Sequence, residues 1–423
     1  MDFRSVNPLN DRLNKISGNL LPMTANGLSF PIYWQMYSIA IWLLEIIQMS
    51  ILIPGCFLVP METAVKNGMI GVAITFEVFF VVVRLHSCRG LIQRLIKKLN
   101  DIMFLDDELM RNIVRTTLKS MDMPLKFCWL TGVGSVILWC SPPYVLMFQK
   151  DLFFYLDYKM PVAFGTEPFS TGVFVVGSLI VSTSSAYIFT KKIAADTYMI
   201  HLILLVTAQY RYIALKLSLV IRDGCLKSNL NGPIGKERYS EVDRCTKMQI
   251  KALCRHHNAM LYVTLMLKEL LSLNFSLIYV NNVFRFCSIA FMLLVVSSTS
   301  FVESAGVVIY ACGGTVQLYL LCYCVHQLLD ATIEITNKAF HEEWYKHGAF
   351  IKRIFIMLIT TNRLECRLSR FEKFNLSLPS FMAIVLVNAL ISGCMYQNGI
   401  ICLVVAKEMF YTIMQFHLHK DYG

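Results

Sequence analysis

Charged side chains are scarce in this chain, and the motifs of common soluble enzymes are missing from it. Only 16% of the 423 residues are Asp, Glu, Lys or Arg, whereas 56% are hydrophobic. The sequence contains no glycine-rich phosphate loop, no nucleophile elbow and no paired Cys-x-x-Cys zinc pattern. We therefore expect neither an enzyme nor a bound cofactor or metal, and the composition is typical of an integral membrane protein.

Two other absences narrow the class of protein further. The 14 cysteines are scattered through apolar runs and basic gaps, so a disulfide framework of the secreted type is not expected. Residues 1–30 contain no apolar core of signal-peptide type, so the first apolar run is expected to act as the insertion signal. The net charge of +11 does not indicate nucleic-acid binding, because membrane topology accounts for most of the basic residues.

Long apolar runs predict an all-α membrane protein with seven transmembrane helices. The runs cover residues 33–58, 69–83, 127–147, 170–189, 273–297, 304–324 and 376–396. Most of the 39 Lys and Arg residues lie in alternating gaps, at 1–32, 84–126, 191–255 and 338–373. Basic loops remain in the cytoplasm, so the N-terminus is predicted to be cytoplasmic and the C-terminus extracellular.

Three of the apolar stretches are longer than a bilayer requires. They cover about 171–220, 248–296 and 304–344. A helix of about 50 residues reaches about 75 Å, against a hydrocarbon core of about 30 Å. Helices 4–6 are therefore predicted to extend into a cytoplasmic anchor bundle at about 190–272, with a polar break between the fourth and fifth at Asp223–Arg244.

The domain organisation follows from these spans. It comprises a cytoplasmic N-terminus (1–32), helices 1–6 with their extensions (33–324), the end of helix 6 with an amphipathic anchor helix (325–375), a last transmembrane helix (376–397) and an atypical tail (398–423). Three charges fall within predicted spans: Glu45, Glu77 and Arg285. Because unpaired charges are costly in a membrane, Arg285 is expected to pair with one of the two carboxylates, in either a structural or a gating role.

Several ordered segments of the sequence resemble the insect odorant receptor family. They are Asp196 with Gln209, Leu253 to Leu271 with His257 and Glu269, Gln317-Leu318-Tyr319 with Cys322, Ala339 to Trp344, Lys352-Arg353, and Asn375 to Leu378 with Phe381. The resemblance covers residues 30–397. It implies a subunit of a ligand-gated non-selective cation channel in the plasma membrane, assembled as a hetero-tetramer with an odorant co-receptor. The short break between helices four and five resembles the ligand-tuning subunits rather than the co-receptor.

The resemblance also implies sites for a small volatile ligand and for the pore. Projecting the family's pocket onto these spans gives Ile74, Phe76, Ile137, Trp139, Tyr144, Phe174, Ser178, Ser182, Tyr310 and Thr315. The last helix of the family lines the pore, and its narrow outer point aligns with Cys394, followed by the polar Gln397. A gustatory receptor channel is the first alternative, and a G-protein-coupled receptor or a secondary transporter is a more distant one.

Overall fold

The part of the chain that the structure describes consists almost entirely of helices. The computed structural model describes residues 2–25, 30–60, 68–103, 107–158, 167–230, 236–296 and 301–341, with a few positions near 63, 160 and 352–360. In chain order, the helices are α1 (Phe3–Val6), α2 (Pro8–Ile16), α3 (Ile32–Leu58), α4 (Met69–Ser87), α5 (Arg89–Met103), α6 (Glu108–Cys140), α7 (Pro142–Leu146), α8 (Thr171–Leu230), α9 (Lys236–Val296) and α10 (Phe301–His341). An antiparallel pair of short strands, β1 (Leu152–Phe153) and β2 (Phe169–Ser170), precedes α8.

Six segments of the described residues are long and apolar enough to cross a membrane. These are α3, α4, α6 together with α7, α8, α9 and α10. The first six predicted spans each fall on one of these segments, which gives the architecture of a multi-pass membrane protein. The seventh predicted span, 376–396, and most of the amphipathic segment lie outside the described residues.

The long helices predicted from apolar length are continuous. Helices α8, α9 and α10 contain 60, 61 and 41 residues. The polar break expected at Asp223–Arg244 is wrong in its extent, because α8 continues to Leu230 and α9 already begins at Lys236. The polar residues of this stretch extend the helices, since Lys, Glu and Arg are good helix formers.

The third span also continues well beyond its predicted limits, which were confined to 127–147. Helix α6 begins at Glu108, where the Asp107 side chain accepts a hydrogen bond from the Leu109 N–H at 3.0 Å. The same carboxylate accepts hydrogen bonds from Tyr212 at 2.8 Å and Lys216 at 3.0 Å. This cap therefore fixes the start of α6 against α8. Helix α6 is thus also longer than a membrane span requires, in addition to the three helices predicted to be so.

Helix α8 is the central element of the fold. Every residue from 191 to 210 is buried, and α8 contacts α2, α3, α4, α6, α9 and α10. Most of the circumference of this helix is apolar. Such a helix is buried on all sides only when other helices surround it. The apolar stripe predicted in the lower part of α9 packs inward, with Ile250, Leu253, Met260 and Leu267 all buried.

The N-terminal segment is folded onto this central helix. The Tyr198 hydroxyl donates a hydrogen bond to the Pro22 carbonyl at 2.6 Å. The Asn19 side chain donates to the Lys191 carbonyl at 3.1 Å, and the Asn14 side chain bonds both backbone groups of Leu21. Residues 2–25 therefore form part of the helical core.

Replacing Tyr198 with Phe is expected to destabilise this contact. The substitution leaves the buried Pro22 carbonyl without its donor, which costs about 1–3 kcal/mol. The midpoint of thermal unfolding of the detergent-purified protein should fall by several degrees. The matched control is Tyr262→Phe, since Tyr262 is exposed, and it should leave the midpoint unchanged. Equal midpoints for both variants would contradict the assignment of the N-terminal segment to the core.

Candidate functional site

A cavity of about 100 Å³ lies between six of the helices. Its walls include Gln48 of α3, Ile74 of α4, Trp139 of α6, Phe189 of α8, Met292 of α9 and Tyr310 of α10. Aliphatic and aromatic side chains dominate this lining, and a few amide and hydroxyl groups interrupt it. Such a surface is suited to a small apolar molecule that carries one polar group.

Three of the ten residues projected as ligand contacts line this cavity. Ile74, Trp139 and Tyr310 come from three different helices and face the same space. The Tyr310 hydroxyl is buried near the Arg285 guanidinium, and no described residue makes a hydrogen bond of standard geometry with it. The ligand role of all three remains a prediction.

Four of the projected residues lie above the cavity, toward the loop that carries the two strands. Phe174 belongs to an outer aromatic cluster and stacks on Phe153, with ring centroids 4.1 Å apart. Tyr144 donates a hydrogen bond to Ser182 at 3.0 Å, and Ser182 donates to the Ser178 carbonyl at 2.8 Å. On α8 these serines precede the cavity residues by one to two helical turns.

The other three projected residues do not face the cavity. Phe76 and Ile137 are exposed at the outer surface of the helices, and Phe76 stacks on Phe80. The Thr315 hydroxyl donates to the Ala311 carbonyl of its own helix at 2.8 Å. Apolar residues on every face of a membrane helix give no sequence signal for which of them turn inward.

The projection missed several residues that do line the cavity. Those with hydroxyl or amide groups are Gln48, Thr75, Ser135 and Ser185. A signal for two of them is present in the sequence, because Ser135 lies one helical turn before Trp139 and Ser185 lies one turn after the projected Ser182 on α8. Gln48 comes from a helix that the projected pocket does not include.

A layer of buried charges on α3, α4 and α8 begins about one helical turn from the cavity. Lys191 Nζ is 2.9 Å from the Glu45 carboxylate and lies 3.4 Å from the centroid of the Trp42 ring. Lys192 forms an ion pair with Glu77 and lies 3.8 Å from Asp196. All five side chains are buried or half-buried, so these pairs hold α3 and α4 against the central helix α8.

The sequence-based expectation that Arg285 pairs with Glu45 or Glu77 is wrong. Arg285 forms no salt bridge with either carboxylate in the part of the chain that the structure describes. It donates hydrogen bonds to the Asn282 side chain and, at 3.2 Å, to the Gly314 carbonyl. A Cβ at position 314 would lie 2.9 Å from the guanidinium, so glycine permits this close approach. The two carboxylates pair instead with Lys191 and Lys192. The charge count had assigned these lysines to a basic loop.

Two other side chains complete the layer. Asn281 of α9 donates a hydrogen bond to Glu77, and Gln317 of α10 donates one to Asp196. Five of the six candidate membrane spans, α3, α4, α8, α9 and α10, therefore meet through these polar contacts. The predicted pore residues Cys394 and Gln397 lie outside the described residues.

The comparison with known families identifies the chain. A family model described as 7tm Odorant receptor matches residues 61–387, which is most of the sequence. The chain belongs to the odorant receptor family. No curated protein sequence matches the receptor significantly.

Solved structures show the same fold. The receptor resembles the insect olfactory receptor OR5 from Machilis hrabei with a TM-score of 0.72 and 12% identity, over 94% of this chain and all of that one. A second structure of OR5, described as a complex with eugenol, has a TM-score of 0.69 and 13% identity with the same coverage. At this identity the likeness concerns the fold. The helical architecture is thus that of an insect olfactory receptor.

Introducing a methyl group at Gly132 is expected to change the shape of the cavity. A Cβ at this position would lie 1.7 Å from Cζ of Phe189, so Gly132→Ala must displace that ring. We expect the half-maximal concentration of an agonist to change about tenfold at normal surface expression. The matched control is Gly134→Ala on the same helix, because a Cβ there meets no atom within 4 Å. Identical dose–response curves for the two variants would contradict a role for Phe189 in ligand recognition.

Removing the Lys192 charge is expected to prevent stable folding. Lys192→Met leaves Glu77 and Asp196 buried without their cation, a loss of about 3–5 kcal/mol. Surface expression should fall severely. The control is Lys338→Met, which breaks a half-exposed pair with Glu334 worth less than about 1 kcal/mol. Wild-type surface levels and thermal stability for Lys192→Met would rule out a structural role for this pair.

Proposed function

We propose that the receptor is the ligand-tuning subunit of a ligand-gated, non-selective cation channel for small volatile apolar molecules. The observation that carries the proposal is the inter-helix cavity, which is lined by apolar and aromatic side chains in a chain of the odorant receptor family. Burial of about 100 Å² of apolar ligand surface yields about 2.5 kcal/mol. Binding that favours the open arrangement of the helices then shifts the population toward the conducting state.

Within the projected ligand site, the geometry favours a deeper position than the outer halves of the helices. Ile74, Trp139 and Tyr310 are the projected residues that line the cavity, and we assign the first contacts with ligand to them. Phe174, Tyr144, Ser178 and Ser182 are proposed to form the entrance above it. The related fold described in complex with eugenol supports the general assignment of a small odorant to this architecture.

The distribution of basic residues supports a cytoplasmic N-terminus and an extracellular C-terminus. Lys191 and Lys192 leave that count, because both are buried in ion pairs. The remaining Lys and Arg residues still concentrate in the same four gaps. In this orientation the charged layer lies on the cytoplasmic side of the cavity, and the strand pair lies on the extracellular side.

The long extensions of α6, α8, α9 and α10 are proposed to form the cytoplasmic anchor bundle. They continue for several turns past the membrane-spanning lengths, on the basic side of the molecule. Through this bundle the receptor is proposed to join the odorant co-receptor in a hetero-tetramer at the plasma membrane. The few residues between α8 and α9 support a tuning subunit, because the co-receptor carries a long insertion there.

The pore is proposed to lie along the last helix, residues 376–397. Cys394 would form the narrow apolar ring and Gln397 the polar position beyond it. A narrow apolar constriction excludes ions by dewetting, and a modest widening is sufficient to let water and cations through. Ligand binding in the cavity would supply the energy difference for that widening.

Recording from cells that express the receptor with and without the co-receptor tests this function. We expect odorant-evoked cation currents that require both subunits. Currents from the receptor alone would instead favour the gustatory type of channel. An N-terminal epitope accessible on intact cells would contradict the orientation and the conduction mechanism with it.

Alanine at the aromatic walls should change the ligand response without loss of the protein. Trp139→Ala and Tyr310→Ala each remove a large surface from the cavity and should raise the half-maximal agonist concentration by about tenfold or more. Surface biotinylation should remain near the wild-type level. Trp129→Ala on the same helix is the control, because that ring faces outward. Unchanged dose–response curves for the two cavity variants would reject the placement of the ligand.

A further inference from the structure

The cavity wall contains a carboxamide whose hydrogen-bonding capacity is largely unused. Gln48 is 1% exposed and lines the cavity from helix α3. Its amide nitrogen contacts the Met160 sulfur at 3.9 Å, which is a weak acceptor. Its oxygen meets no donor from the described residues. Exchange of the oxygen and nitrogen positions would also lose the contact with sulfur, because a thioether cannot donate to the oxygen, so the assigned orientation is the favoured one.

An unpaired amide in an apolar wall has an energetic consequence. A buried polar atom without a partner costs about 1–3 kcal/mol, and an aliphatic side chain would avoid that cost. Among the other polar side chains of the wall, the Thr75 hydroxyl donates to the Gly71 carbonyl at 2.7 Å. The Ser185 hydroxyl contacts the same Met160 sulfur as Gln48, also at 3.9 Å. Gln48 and Tyr310 are the lining residues that carry a fully buried side-chain oxygen without a hydrogen-bond partner of standard geometry among the described residues.

These two groups favour different hydrogen-bonding functions on a ligand. The Gln48 oxygen requires a donor, whereas the Tyr310 hydroxyl can donate to an acceptor. A hydroxyl group carries both the donor that Gln48 requires and an acceptor that suits Tyr310. Ethers, ketones and aldehydes accept hydrogen bonds but leave the Gln48 oxygen unpaired. A hydrocarbon satisfies neither group and displaces any bound water without replacing its hydrogen bonds.

The size of the cavity limits the rest of the molecule. A dry cavity of about 150 Å³ holds one benzene ring, and this cavity is smaller, at about 100 Å³. The ligand is therefore compact, with a short aliphatic body against Ile74, Trp139 and Met292. This argument rests on the proposed function, because it assumes that ligands which open the channel occupy this cavity.

We propose that Gln48 selects short-chain aliphatic alcohols by accepting a hydrogen bond from the ligand hydroxyl. The contact makes Gln48 a specificity-determining residue on the first transmembrane helix. Apolar burial supplies most of the affinity, and the hydroxyl contact discriminates between ligands of equal size.

The test uses 1-butanol, methyl propyl ether and pentane, which have the same number of non-hydrogen atoms. Currents are recorded from cells expressing the receptor with the co-receptor, and the ether-to-alcohol ratio of half-maximal concentrations is compared between wild type and Gln48→Leu. Dividing the ratio of the variant by that of the wild type removes the contribution from the different hydration of the free ligands. We expect the alcohol preference to fall about tenfold in Gln48→Leu, with little change for pentane.

The control is Gln35→Leu, which changes the same residue type at an exposed position of the same helix. It should retain the wild-type ratio. If Gln48→Leu does not reach the surface, Gln48→Met keeps the shape of the side chain and gives the same comparison. An unchanged ratio in a surface-expressed Gln48 variant overturns the proposal while the channel function stands. A wild-type channel that responds without preferring the alcohol overturns the proposal in the same way. A wild type silent to all three ligands also overturns it, and odorant-evoked currents recorded with the co-receptor then decide whether the channel function stands.

Discussion

Charges buried at the depth of a membrane must find partners, and the arrangement of this receptor depends on how they do so. Glu45 and Glu77 lie in the two shortest apolar helices, and adjacent lysines of the central helix neutralise them. Removing one member of such a pair is far more costly than never having had it. The pairs therefore fix the rotation of α3 and α4 about α8, which apolar packing alone specifies weakly.

The fixed rotation of α3 and α4 determines which side chains the neighbouring turn of each helix directs into the cavity. One turn from Glu45, helix α3 turns Gln48 inward, and α4 and α8 place Ile74 and Phe189 at the same level. The cavity thus lies directly beside a rigid polar layer. In the proposed mechanism, a ligand in the cavity moves the outer parts of the helices while the ion pairs of this layer keep α3, α4 and α8 together.

Sequence reasoning recovered the helical class, the first six spans and the family, because apolar length and ordered motifs are local properties. It failed where two different environments in the fold are both physically plausible for the same side chain. Lys191 and Lys192 were assigned to a cytoplasmic gap by charge, although their apolar neighbours and Asp196 one turn later favour burial. Phe76 and Ile137 were projected inward, but lipid-facing and cavity-facing apolar residues have the same composition, so the facing direction emerges only from packing.

A double-mutant cycle on Glu45 and Lys191 tests the role of the charged layer most directly. Thermal unfolding of the purified protein is measured for Glu45→Gln, for Lys191→Met and for the pair of changes together. The account predicts a coupling energy above about 2 kcal/mol, with the double variant more stable than the Lys191→Met variant that leaves a lone carboxylate. Additive effects of the two substitutions would contradict it, because the two side chains would then not depend on each other for their burial.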